Sequence, residues 1–145
     1  IFAYGMLFEL RMDPTVVDQI FPALDDIIDL HTTFKQNLQD RRKEQSPVVE
    51  KIGDVICQQF QDELGERMTL AYGELCSKQA EAISIYKEWY TRDRKFQNFI
   101  KKCSHIPLCR RFGVPEHIRL VSQRITQYPL VIDAIIKRTK GQSSI

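Results

Sequence analysis

Two groups of residues in this chain have types and spacings that could do chemistry. Cys103-Ser104-His105 followed by Cys109 brings thiols and an imidazole close together, the donor types a metal ion would take. No paired Cys-x-x-Cys accompanies them, so no metal site is expected. Ser122, Thr126, Pro129, Asp133 and Lys137 are spaced four, three, four and four apart. On a helix that spacing makes one stripe. It is small, polar and low in bulk, so the chemistry it suits is recognition: such a surface accepts another protein's loops closely. His31 lies among apolar positions with no second ligand, and a satisfied boundary histidine is expected there. No phosphate-binding Gly-rich loop, Gly-x-Ser-x-Gly, His-Glu-x-x-His or calcium-loop pattern is present. No catalytic residue, metal or cofactor is therefore assigned.

The composition is that of a globular chain. Of 145 residues, 43% are apolar and 28% charged, which argues against disorder and suits a single domain. No apolar run reaches membrane-spanning length, and no leader pattern opens the chain. The four cysteines are irregularly spaced and read as buried, reduced thiols, with Cys57 and Cys76 on apolar stripes. A cytoplasmic location follows as the expectation. Residues 1–100 hold 12 Lys and Arg against 17 Asp and Glu, whereas residues 101–145 hold 9 against 2. A basic end suits an acidic protein surface, a lipid headgroup or nucleic acid. The aromatics Tyr86, Trp89, Tyr90, Phe96 and Phe99 recur at helical spacing, which commits them to a core rather than to base stacking. Nucleic acid is not expected as a partner.

The elements that must position the stripe are helical throughout, and the fold class is all-α, an elongated antiparallel bundle. Asp13-Pro14 starts a short helix. Pro22 opens a longer one to about Lys43, with an apolar stripe of Leu24, Ile27, Ile28, His31, Phe34 and Leu38. Val48, Val49, Ile52, Val55, Ile56 and Phe60 form a second stripe, with Gly53 suggesting close packing. The longest signal runs from Asp62 to about Cys103, with bends expected at Gly65, Gly73 and the Thr91–Arg94 stretch. Val114-Pro115 opens the last helix, to about Thr139, and Gly141–Ser144 reads as a stop or tail. On that helix Ile118, Val121, Ile125, Tyr128, Ile132, Ile135 and Ile136 form the core seam. The period continues unbroken across Pro129, so one kinked helix is expected rather than two.

Gln123-Arg124-Ile125-Thr126-Gln127-Tyr128-Pro129-Leu130 strongly resembles the third conserved region of Dbl-homology domains, close to Gln-Arg-Ile-x-Lys-Tyr-Pro-Leu. The run Phe21 to His31 resembles the family's helix after its first conserved region, and Lys51–Ile56 and Tyr90–Phe96 are similar to the Lbc-like subgroup in particular. The resemblance covers nearly the whole chain in order. It implies a guanine-nucleotide exchange domain that binds a Rho-family small GTPase, RhoA-like, and releases GDP by remodelling its switch regions and its Mg²⁺ and phosphate site. A non-catalytic helical interaction or scaffold module is the alternative. The resemblance further implies that Ile118, Ser122, Gln123, Thr126, Pro129, Asp133 and Lys137 face the GTPase, and that Ile118 helps choose among GTPases. It implies a following pleckstrin-homology domain, and a membrane or cytoskeletal association that is only indirect. The family's lysine before Tyr-Pro is Gln127 here, and a basic position four residues after the proline is Asp133, with Lys137 as a substitute. The chain itself reads as a partial domain, residues 1–145, lacking most of the family's N-terminal helix and its C-terminal helix. On that reading it is expected to be marginally stable and nearly inactive alone, with Ile118, Ile125 and Ile132 short of apolar partners.

Overall fold

The computed structural model describes residues 1–139. They form seven α-helices and no strand: α1 (Phe2–Phe8), α2 (Pro14–Ile20), α3 (Leu24–Glu44), α4 (Gly53–Phe60), α5 (Asp62–Arg92), α6 (Arg94–Ser104) and α7 (Val114–Thr139). A single 3₁₀ turn, Pro107–Cys109, lies between α6 and α7. The expected tail at Gly141–Ser144 lies outside the described residues. With 31 residues, α5 is about 46 Å long at the usual rise per residue. It is the axis of the bundle, and α2, α3, α4, α6 and α7 all pack on it.

Local chemistry explains the joints. Asp13 caps α2 by accepting the Thr15 N–H at 2.9 Å, and Pro14 occupies the first helical position. Ala23, with φ of 59°, turns the chain into α3, so that helix starts two residues after Pro22. Asp25 and Asp26 sit in the first turn of α3 and Arg41, Arg42 and Lys43 in its last, each complementing the helix dipole. Arg41 also grips Asp54 with two bonds of 2.7 and 2.6 Å and donates to the Lys51 carbonyl at 2.7 Å. That guanidinium holds the Asp54 carboxyl down to about 2. Asp93 ends α5 and begins α6, its carboxylate accepting the Phe96 N–H at 2.9 Å. The bend expected over Thr91–Arg94 is thus a full break, made by one capping side chain.

The core is largely the expected one. Tyr86, Phe96 and Phe99 are buried, with Trp89 and Tyr90 packed against them. Several positions differ. Val48 and Val49 are exposed on a non-helical segment, because α4 begins only at Gly53, and nothing approaches that glycine. On α3 it is Leu30 that faces the core, while Ile28 is exposed. Cys57 and Cys76 are exposed; the buried thiols are Cys103 and Cys109, all four being free. Burial pushes the Cys103 thiol up. Among the described residues no cluster of three or more His, Cys, Asp or Glu is arranged to hold a metal.

Neither Gly65 nor Gly73 interrupts α5, but they differ in surroundings. A Cβ on Gly65 would come within 2.5 Å of the Phe60 carbonyl oxygen, where the end of α4 crosses α5; a Cβ on Gly73 would meet nothing within 4 Å. Gly65→Ala should therefore lower stability by ~1–3 kcal/mol through backbone displacement. Gly73→Ala should raise it by up to about 1 kcal/mol, the helix-propensity difference. Urea unfolding of the two variants checks the opposite signs.

Candidate docking face on helix α7

Helix α7 runs continuously through Pro129. A proline there withholds the donor that the Ile125 carbonyl would otherwise use, at about 3 kcal/mol. Contacts on either side of it hold the helix together. Tyr128, 8% exposed, is inserted between other helices. Its ring lies 6.0 Å from Phe34 of α3, 5.1 Å from Phe60 of α4 and 6.1 Å, stacked, from His31 of α3. Ile125 and Ile132 flank it against the core.

The polar tips in this seam are connected. His31 Nε2 bonds the Tyr72 hydroxyl of α5, and His31 Nδ1 meets the Tyr128 hydroxyl at 3.0 Å. A neutral imidazole has one donor and one acceptor, so the two hydroxyls take opposite roles. Arg124 Nε donates to the Tyr128 hydroxyl at 3.4 Å, with its guanidinium carbon 5.3 Å from the Tyr128 ring centre. Burial, and then the Arg124 charge, hold the His31 pKa below its usual value. Burial raises the Tyr72 hydroxyl to about 12, aided by Tyr128. The expectation of a satisfied boundary histidine holds. The network itself was not foreseen. Its signal in the sequence was three polar-tipped rings on three apolar stripes, each needing a partner once buried.

Away from this seam, α7 presents the stripe. Gln123, Thr126, Pro129, Asp133 and Lys137 are exposed and Ser122 is half-exposed. The hydroxyls are satisfied within the helix: Ser122 donates to the Arg119 carbonyl at 3.0 Å and Thr126 to that of Gln123 at 2.6 Å. Lys137 pairs with Asp133 at 2.9 Å, so a partner meets a neutralised pair there rather than a lone cation. Ile118, expected to face the partner, is 5% exposed and part of the core, because it lies on the same side of the helix as Ile125 and Tyr128. Ile118 is packed within the core, while Ile125 and Ile132 are only half-buried against it. The side chains left uncovered are Leu120, Val121, Leu130, Val131 and Ile136, so Val121 and Ile136 leave the expected seam. The loop into α7 adds Arg110 and Arg111, both exposed and both with positive φ. The stripe pattern could not reveal them, since they precede the helix.

A family model described as the RhoGEF domain matches residues 4–144. The chain belongs to the RhoGEF domain family. It is 40% identical over 148 residues to human Rho guanine nucleotide exchange factor 2, covering 97% of this chain and 15% of that protein. To human Rho guanine nucleotide exchange factor 28 it is 42% identical over 149 residues, covering 99% of this chain and 9% of that protein. The chain thus spans a small part of the curated relatives it matches. Among solved structures, it superposes on the DH/PH fragment of PDZ-RhoGEF, solved in complex with human RhoA, with a TM-score of 0.89, at 29% identity, over 99% of this chain and 40% of that one. On the DH/PH domains of p115-RhoGEF the TM-score is 0.82, at 31% identity, over 92% of this chain and 36% of that one. The RhoGEF fold and the Lbc-like subgroup are the expected ones.

In this RhoGEF chain the Tyr of the Tyr-Pro motif is therefore a fastener. Tyr128→Phe keeps the ring and removes the hydroxyl, and should cost about 0.5–1.5 kcal/mol. Tyr128→Ala also empties the space between three helices and should cost ~3–5 kcal/mol. Thermal and urea unfolding of the pair separates the bond from the packing.

Proposed function

We propose that this chain is the exchange-promoting part of a protein that acts on a Rho-family GTPase of the RhoA type. RhoGEF family membership supports this, as do relatives solved as complexes with RhoA. The observation that carries it is the α7 stripe, whose small side chains have their own polar groups satisfied and so stand ready for contact. No covalent step is involved. The domain binds the nucleotide-free GTPase more tightly than the GDP form, and that difference in affinity drives GDP release by opening the switch regions around Mg²⁺ and phosphate. Arg110 and Arg111, beside the start of α7, suit an acidic patch on the same partner. The solved relatives are DH/PH fragments, and a pleckstrin-homology domain next to this one belongs to the same reading. So does a cytoplasmic location, with any membrane association indirect. Among the described residues, no helix is long and apolar enough to cross a membrane.

Thr126 is exposed and its hydroxyl bonds only its own helix, so an arginine there should alter stability by no more than about 0.5 kcal/mol. In the full-length protein, Thr126→Arg should abolish acceleration of GDP release from RhoA while unfolding stays cooperative. Unchanged affinity for nucleotide-free RhoA would show that the docking face lies elsewhere.

A further inference from the structure

We infer that His31 is a positioning residue for the α7 face, and that adding a proton to it loosens Tyr128 and with it the seat of α7. The functional consequence rests on the exchange reading above; the structural one does not.

The directions of the hydrogen bonds carry the argument. Arg124 is always a donor, so the Tyr128 oxygen already accepts one N–H at 3.4 Å. With His31 neutral and Nδ1 bare, the Tyr128 hydroxyl gives its proton to Nδ1 at 3.0 Å, and Nε2–H donates to Tyr72. The chain then runs in one direction from Arg124 through Tyr128 and His31 to Tyr72. An imidazolium has two donors and no acceptor. Nδ1–H would then point at an oxygen that already accepts from Arg124, and the Tyr128 proton would lose its partner in this chain.

Charge acts in the same sense. From α3, Lys35 and Arg42 line the cleft that His31 shares with Arg124 and Tyr128, a space of about 470 Å³ with no carboxylate in its lining. From α5, Tyr72 faces the imidazole with Cys76 beyond it, and Tyr72 stays neutral until about 12. From α7 come Arg124 and Tyr128. From α4 comes Phe60, which is uncharged and packs on Tyr128. Of these cations Arg124 is the one that acts on the imidazole, so a proton on His31 would meet a like charge with no carboxylate in the cleft to offset it.

The helix that gives way is α7. Arg67 of α5 ties α3 through Asp29 at 2.8 Å, and Gln59 of α4 donates to the Leu30 carbonyl of α3 at 3.2 Å. Among the described residues, the side-chain hydrogen bond that joins the Pro129 region of α7 to another helix is Tyr128 to His31. The sign follows from the folded pKa lying below the unfolded value of 6.5. The stability from neutral His31 is complete above 6.5 and is lost as pH falls below it toward the folded value.

The test is amide hydrogen exchange of residues 121–135 in the full-length protein, from about pH 7.5 to about pH 5.5, corrected for the intrinsic rate. Wild-type protection should fall severalfold across that range. His31→Gln, which can donate and accept but does not titrate, should keep its protection flat. A flat wild type, or an equal fall in His31→Gln, overturns the inference. Should His31→Gln fail to fold, Tyr128→Phe takes its place and should likewise flatten the response; an undiminished fall there overturns the inference. GDP release from RhoA over the same range, relative to release driven by chelator alone, should track α7 protection in the wild type. Protection that titrates in a protein with no exchange activity at any pH leaves the positioning role standing and removes the exchange reading.

Discussion

The arrangement depends on keeping a proline-containing helix continuous, so that it presents one face. Pro129 costs α7 about 3 kcal/mol of helix stability, comparable to the gain from burying one large apolar side chain. The helix persists because the residue before the proline is the one gripped most firmly. Tyr128 touches α3 and α4 directly and reaches α5 through His31. Ile125 and Ile132, about one turn to either side, extend the seam. Local propensity opposes the conformation and tertiary packing imposes it. The consequence is geometric: with Tyr128 seated inward, Pro129, Thr126, Asp133 and Lys137 are turned toward solvent together.

The same seam combines apolar burial with a polar device. Phe34 and Phe60 could seat a phenylalanine as well as a tyrosine, so the ring alone does not require the hydroxyl. The hydroxyl adds direction. A bond at 3.0 Å to one imidazole nitrogen, and a second bond from the other nitrogen to Tyr72, fix how far α7 is rotated about its axis. Apolar contact tolerates sliding; a two-sided hydrogen bond to a ring does not. The rotation of α7 decides which of its residues face solvent together, so the polar tips help set the orientation of the exposed stripe.

Helix type and the position of the stripe were readable from the sequence because both follow from the 3.6-residue period. Continuity through Pro129 came from the same signal, and the start at Val114-Pro115 from a proline suited to a first helical turn. Periodicity was a poorer guide at the margins. Ile28 and Leu30 compete for the core side of α3, and packing against α5 decides for Leu30. Val48 and Val49 sit at apolar spacing, but Arg41 grips the Lys51 carbonyl and Asp54, and the chain before Gly53 is not helical. Ile118 looked like both seam and contact; its 5% exposure assigns it to the seam. The His31 network was out of reach because it joins residues 41 and 97 positions apart, and no local pattern pairs them.

What a partner would meet on α7 differs from what the family motif suggests. At the motif's lysine position before Tyr-Pro, Gln127 is neutral and exposed. Asp133 and Lys137 neutralise one another at 2.9 Å. Ser122 and Thr126 turn their hydroxyls back to carbonyls of their own helix, at Arg119 and Gln123. The stripe is therefore close to electrically neutral, and its selectivity must come from shape, since small residues beside a proline let another backbone approach. Charge enters from outside the stripe, through Arg110 and Arg111 on the loop that leads into α7. On the proposed function, long-range attraction and close fit would thus be carried by different segments. Charged loops mainly steer encounter, whereas buried, well-fitted contacts set how long a complex lasts. On the proposed exchange function, a domain that must bind tightly only after its partner has changed shape would be well served by that division, because a neutral stripe would gain little from a GTPase whose loops are not yet placed to fit it.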